Sequence, residues 1–367
     1  MKKGFTEYMS TVTAHLNLLF VMLTVAIAQT ACSTIDDDLS DCGTDYEMNY
    51  EMRLVTNMTT ELQTQLNTTT EASVAKALEN HLKTIFSDMA DDVELSFYDT
   101  AGDSARLHYE SHVMNNNQSS YTLYLPMRKY MHVALANIQK NNVVTVENDD
   151  RCHHYRLQQT KKDTVDSHTT GLFTARQPIN VLEGVDQTFN VRLYMVNCAN
   201  VLIVDPRGHS TDGLKIFTSG FATTFNPADS IYIFDKVSPV VRPTLITTPG
   251  SSKLSYCSVT FPSQEAASTA APTRSMDVAT RTVIETEEPF KTTPGAASLW
   301  HYMAYMKQPD GSITATKLDI RQPLRAGQLK IIKAYINDDG SLQTDDVSVG
   351  VSVKLNWNEG WNGDIDL

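Results

Sequence analysis

The chain reads as a mainly β protein with one long amphipathic helix, and three features of its 367 residues carry that reading. In residues 347–357 (VSVGVSVKLNW) every second residue is apolar, the period of a strand with one buried face. Residues 71–89 show the other period: Ala75, Leu78, Leu82, Ile85 and Met89 recur at spacings of three and four, with Glu79 and Lys83 between them. Turn-forming groups such as Ala101-Gly102-Asp103, Pro309-Asp310-Gly311 and Asp338-Asp339-Gly340 punctuate short apolar runs, at spacings that suit β-sandwiches.

Taken in order, the chain opens on an export segment. Lys2 and Lys3 precede an apolar run, 16–28, of h-region length and too short to span a bilayer as a helix. Thr30 and Ala31 then lead to Cys32, the arrangement that bacterial lipoprotein processing needs. The thiol takes a diacylglyceryl group, and cleavage leaves acylated Cys32 as the mature N-terminus. Several acyl chains anchor far more strongly than one. Gln29 stands where such signals usually carry an aliphatic residue, and Ala26-Ile27-Ala28 offers a rival cut that would release a soluble protein. We read 1–31 as a lipoprotein signal peptide. Residues 32–43, with Asp36, Asp37 and Asp38, are too poor in apolar side chains to fold alone and read as an acidic tether.

Strands follow on both sides of the helix. Residues 46–57 alternate through Tyr46, Met48, Tyr50, Met52 and Leu54. Before the helix, Thr68 to Thr70 offer N-caps and Glu71 suits the first turn. Residues 93–98 and 106–109 form an expected hairpin about Gly102; 121–125 and 130–136 are strands parted by Pro126, which lacks a ladder donor. Residues 143–146 form a short strand, and 148–166 a polar loop with room for a short helix. The run 189–204 (FNVRLYMVNCANVLIV) reads as one long strand, so a domain boundary is placed before it, at Glu183-Gly184, giving 44–183 and 184–367. Beyond it, 214–221, 230–234, 254–261, 299–307, 312–320 and 329–336 are strands, and 264–294 is a surface excursion rich in Ala, Ser, Thr and Pro.

Composition narrows the function. A hydrophobic share of 41 % describes a globular chain with room for two domains, and a net charge of −13 argues against nucleic acid as a partner. Besides Cys32 there are Cys42, Cys152, Cys198 and Cys257, which either form two disulfides in one of three pairings or remain buried thiols. No nucleophile elbow and no phosphate-binding glycine loop occurs. Cys152-His153-His154 does not read as a metal site, because neighbouring side chains in extended chain diverge. Asp36-Asp37-Asp38 lacks the glycine and distal glutamate of a calcium loop. No cofactor, metal or catalytic residue is expected.

Four stretches, in order, resemble the FimB/Mfa2 family of Bacteroidetes fimbrial anchor lipoproteins. They are the run from Cys32 through Asp36-Asp37-Asp38 to Cys42, residues 46–60 (YEMNYEMRLVTNMTT), residues 91–102 (DDVELSFYDTAG) after the helix, and the terminal strand ending Asn356-Trp357-Asn358. The resemblance implies two transthyretin-like β-sandwich domains in tandem and a lipid at Cys32 that holds the protein to the outer membrane. It also implies that Asp36, Asp37 and Asp38 act as a surface-export signal. The implied function is to anchor the base of a fimbrium and to limit or nucleate its assembly, without catalysis. The partner would be a stalk fimbrillin, engaged by strand exchange or edge pairing. The alternative is a surface glycan-binding lipoprotein of a nutrient-uptake system, which exposed, coplanar aromatics among Trp300, Tyr302, Tyr305, Trp357 and Trp361 would favour.

Overall fold

A computed structural model describes residues 45–55, 58–66, 71–87, 90–100, 104–115, 118–147, 150–235, 238–265 and 299–354. Residues 1–31, read above as a signal peptide, residues 32–43 with Cys32, Asp36, Asp37, Asp38 and Cys42, and Trp357 and Trp361 lie outside these residues. Among the described residues there are twenty-two strands and two α-helices, so the chain is mainly β.

The first sheet has seven strands in the order β3-β2-β5-β9-β10-β1-β4. They are β1 (Asp45–Val55), β2 (Ala90–Asp99), β3 (Arg106–Met114), β4 (Ser120–Pro126), β5 (Lys129–Ala136), β9 (Phe173–Asn180) and β10 (Gln187–Met195). The alternation in β1 does what its period demands: Met48, Tyr50, Met52 and Leu54 are buried, while the residues between them face out. At the centre of the buried face, Tyr50 donates its hydroxyl hydrogen to His132 Nε2 at 2.5 Å. The ring's Nδ1–H donates to the Ser96 carbonyl at 3.0 Å, and Phe97 stacks on it at 4.4 Å. Burial pushes the His132 pKa down to about 4, so the ring is neutral and its tautomer follows from these two partners.

The expected helix is α2 (Ala72–Ile85), with Val74, Ala75, Leu78, Leu82 and Ile85 buried. A second helix, α1 (Met58–Gln65), precedes it and was not legible in so short and threonine-rich a segment. Glu71 sits at the N-cap of α2 rather than in its first turn; its carboxylate meets Lys253 at 3.2 Å and Lys333 at 2.6 Å. The helices lie between the first sheet and a second sheet, ordered β16-β17-β11-β20-β21. Its strands are β11 (Cys198–Asp205), β16 (Thr244–Thr247), β17 (Leu254–Thr260), β20 (Leu329–Ile336) and β21 (Leu342–Gln343). Gln65 of α1 pins this arrangement, donating to the Leu329 carbonyl at 2.5 Å and accepting from the Ile331 amide at 2.9 Å.

The other face of the second sheet packs on a third, ordered β22-β19-β18-β12-β15-β8. It contains β8 (Thr164–Asp166), β12 (Leu214–Ser219), β15 (Val240–Arg242), β18 (Trp300–Lys307), β19 (Ile313–Ile320) and β22 (Val349–Lys354). β18 and β19 form the expected hairpin, whose turn places Gly311 at φ 86°, where a side chain would be strained. At Gly220 a Cβ would come within 2.6 Å of the Trp300 Cα, so only glycine lets β18 approach this closely. A fourth sheet, β14-β13-β7-β6, covers the back of β2 and β5; it holds β6 (Val144–Glu147), β7 (Arg156–Gln159), β13 (Thr224–Asn226) and β14 (Ile231–Ile233).

Three expectations are corrected. The run 189–204 is not one strand. β10 ends at Met195, Val196-Asn197 turns the chain, and β11 begins in another sheet. The buried Asn197 holds that corner, accepting from the Leu172 amide at 2.5 Å and donating to His168 Nδ1 at 2.8 Å. Hydrogen bonding therefore carries the first sheet past Glu183-Gly184 to Met195. Residues 150–166 hold the short helical turn the loop had room for, a 3-10 turn at Cys152–His154, but also two strands that were not expected, β7 and β8. β9 was not expected, because Arg176, Gln177 and Pro178 interrupt its apolar pattern, yet it pairs along its whole length with β5.

Of the two states left open for the cysteines, the described ones take the second. Cys152, Cys198 and Cys257 are free and buried. Val201 faces Cys257 across the β11–β17 ladder and Cys198 faces Thr260, which sets Cys198 and Cys257 about 10 Å apart and on opposite faces. Each of the three thiols enters a different core, so no pair of them can be bridged.

Candidate interaction edge

The first sheet ends in two strands, β3 and β4, and β3 exposes the most apolar surface. The sequence of β3, RLHYESHVM, sends Tyr109, Ser111 and Val113 to one side and His108, Glu110 and His112 to the other; a bulge at the exposed Leu107 returns Arg106, which pairs with Tyr98, to the Tyr109 side. In a central strand both sides would be covered. At this edge Leu107, Tyr109 and Val113 are 42 %, 43 % and 42 % exposed. The Arg106 guanidinium lies 4.9 Å from the centre of the Tyr109 ring and pairs with Asp150, fixing the aromatic plane against the sheet.

The opposite side of β3 is polar and ordered. Glu110 accepts from His108 Nε2 at 2.7 Å with one carboxylate oxygen and from His112 Nε2 at 2.6 Å with the other. Both rings therefore carry a hydrogen on Nε2. The sheet curls until its two ends meet: Asn115 and Gln118 exchange backbone hydrogen bonds of 3.0 and 3.2 Å at the β3–β4 turn, and the His112 ring lies 4.1 Å from that of Tyr121 on β4. An open cleft of about 310 Å³ stands at this seam, lined by Asp92, Ser111, His112, Val113, Gln118, Tyr121 and Gln139. Asp92 Oδ2 is occupied by the backbone amides of Ile138 and Gln139, at 2.7 and 3.0 Å. Ser111 and His112 project to opposite faces of β3, so they cannot act as a nucleophile–base pair. Between the Arg106 amide, which donates to the Asp150 carbonyl at 2.7 Å, and the Asn115–Gln118 pair, the edge offers a strand's row of main-chain groups beside an apolar stripe.

The residues singled out in the sequence fall elsewhere. Cys152 is buried, and burial pushes its thiol up to about 11; His153 reaches Asp229 at 3.2 Å, and His154 is exposed. Among the described residues no group of three or more His, Cys, Asp or Glu could hold a metal. Trp300, Tyr302 and Tyr305 are buried; Tyr302 donates to Asn200 at 2.7 Å and Trp300 to the Gln322 carbonyl at 3.0 Å, inside or at the rim of the sandwich. The strand 349–354 is internal, pairing antiparallel with β19 as the edge of the third sheet. The β3 edge itself was legible only as a short return strand, since its one-sided His-Glu-His pattern reads as ordinary polarity until neighbours are known.

Residues 41–215 match the family model described as fimbrillin-A associated anchor proteins Mfa1 and Mfa2, a span that contains every strand of the first sheet. This bears out the resemblance drawn from the sequence motifs. Among solved structures, the chain is similar to the fimbrial anchor protein Mfa2 from Porphyromonas gingivalis, at 13 % identity and a TM-score of 0.46, covering 85 % of this chain and 99 % of that one. It is also similar to a fimbrial assembly protein from Parabacteroides distasonis, at 10 % identity and a TM-score of 0.38, covering 85 % and 98 %. A Bacteroides thetaiotaomicron protein provisionally named as polysaccharide-binding has 9 % identity and a TM-score of 0.47, covering 83 % and 97 %. No curated protein matches the chain.

Proposed function

We propose, from the match of residues 41–215 to the fimbrillin-A associated anchor family, that the chain holds the base of a fimbrium to the outer membrane without catalysis. The family match is the observation that carries the reading. In this reading Cys32 bears the lipid, Asp36, Asp37 and Asp38 direct the chain to the cell surface, and the folded body engages the first stalk subunit. The β3 edge supplies the contact. A strand laid along it gains main-chain hydrogen bonds, and Leu107, Tyr109 and Val113 supply side-chain contacts on one face. Engaging one subunit at the base nucleates the fibre or limits its length. The burial of Trp300, Tyr302 and Tyr305 supports this reading over a sugar-stacking platform.

Deleting the gene and weighing cell-bound against shed fimbriae tests the role: release and altered length are expected, and unchanged attachment would overturn it. A Cys32→Ala chain should leave the membrane fraction; its retention there would remove the lipid from the account. For the docking edge, a Leu107→Glu/Val113→Glu chain should bind the stalk subunit at least tenfold more weakly with its fold intact. Unaltered binding would move the contact off β3.

A further inference from the structure

Exposed apolar side chains gather a second time, at the end of the first sheet where β1 begins. Two connections meet there. Pro126 stops β4, and the turn through Met127 and Arg128 leads into β5; on the far side, residues 181–186 link β9 to β10. The Val181 amide donates to the Arg128 carbonyl at 2.9 Å, which ties the connections together. Gln187 braces the second, accepting from the Leu182 amide at 2.8 Å and donating to the Asn180 carbonyl at 3.1 Å. On this fixed backbone Met127, Leu182 and Val185 stand 55 %, 44 % and 51 % exposed.

The register places the start of β1 among them. Asp45 pairs with Pro126, and the parallel pairing of Met48 with Gln187 sets Asp45 level with Gly184. Asp45 comes thirteen residues after Cys32. Such a link reaches at most about 45 Å even when fully extended. This end of the sheet is therefore the end held nearest to any lipid on Cys32.

We infer that the rim of Met127, Leu182 and Val185 rests on the lipid surface, so that the first sheet stands on the membrane by this end. The inference rests on the lipid at Cys32 proposed above. Three side chains bind a bilayer weakly by themselves, but a short tether makes the contact intramolecular, at an effective concentration in the millimolar range. Acidic Asp45, Asp99, Glu183 and Asp186 outnumber basic Arg128 and Lys129 around the rim, so the surface it fits carries no net negative charge. Seated this way, the β3–β4 turn at the opposite end of the sheet points away from the membrane.

Hydrogen exchange on the full acylated chain in phosphatidylcholine vesicles tests this, with the Cys32→Ala chain in solution as reference. Amides at 127–129 and 182–186 should slow severalfold on the vesicles, while Asn115 and Gln118 should not change. A Met127→Ser/Leu182→Ser/Val185→Ser chain should stay attached through its lipid and lose that protection. Equal exchange at both ends of an acylated chain, or protection that survives the triple substitution, would overturn the inference and leave the anchor intact. A chain found without acylation at Cys32 would overturn both, a failure that membrane fractionation reports separately.

Discussion

β3 and β18 look alike on paper: each is a run of alternating aromatic, aliphatic and polar residues, and each carries tyrosine and histidine. In the molecule they are opposites. β18 lies inside the third sheet, between β12 and β19, and buries Trp300, Tyr302 and Tyr305. β3 closes the first sheet and leaves Leu107, Tyr109 and Val113 in water. The difference teaches that place in the sheet order, not composition, decides whether an aromatic stripe is core or contact surface. An edge strand with such a stripe normally invites unwanted pairing unless charge protects it. Here His108, Glu110 and His112 alternate with the apolar residues, and Arg106 lies over Tyr109, so charge blunts the edge.

Matched truncations give the largest test of this contrast. Trp300→Ala should lower the unfolding free energy by about 3–5 kcal/mol, whereas Tyr109→Ala should change it by no more than about 0.5 kcal/mol. Urea unfolding at neutral pH measures both. A comparable loss at Tyr109 would erase the distinction between core and contact stripe.

Acid sharpens it next. Burial lowers the pKa of His132 to about 4 and that of His168 to about 3, against about 6.5 in the unfolded chain. Below pH 6.5 the unfolded chain binds protons that the native chain refuses. The stability these two rings confer is therefore complete above pH 6.5 and drains as the pH falls toward 4 and then 3. At 1.36 kcal/mol per pKa unit, His132 should cost on the order of 3 kcal/mol and His168 on the order of 5 kcal/mol over their windows. His132→Gln retains a hydrogen-bonding side chain without titrating and should flatten the slope of stability against pH by about one proton. An unchanged slope would show that this ring is not held neutral.

Thiol chemistry reads the interior directly. Burial pushes Cys152 up to about 11 and both Cys198 and Cys257 up to about 12. In a Cys32→Ala/Cys42→Ala chain these three should react with a thiol reagent at pH 8 at least a hundredfold more slowly when native than when unfolded. Rapid native labelling at any of them would place that strand nearer the surface. Last and smallest, Glu71→Ala removes the paired contacts to Lys253 and Lys333 at the start of α2. Both lysines are partly exposed, so a loss of about 1 kcal/mol or less is expected in the same urea experiment.

Local periodicity determined much of this protein. The strand class, the faces of β1 and α2, the β2–β3 and β18–β19 hairpins, and the family resemblance all follow from interactions between residues close in the chain. Periods of two and 3.6, and the conformational freedom of glycine, act at that range. The partition of strands among sheets required the whole structure. Nothing in 189–204 announces that Asn197 turns β10 away from β11, because the groups satisfying its amide, Leu172 and His168, lie far back in the chain. β9 went unread for the same reason: its place beside β5 depends on long-range pairing that outweighs Arg176, Gln177 and Pro178. Whether Cys198 and Cys257 could meet was decided by ladder register, and whether Tyr109 or Tyr302 faces water by sheet order. A sequence states which side chains share a face; only the tertiary structure decides what, if anything, covers it.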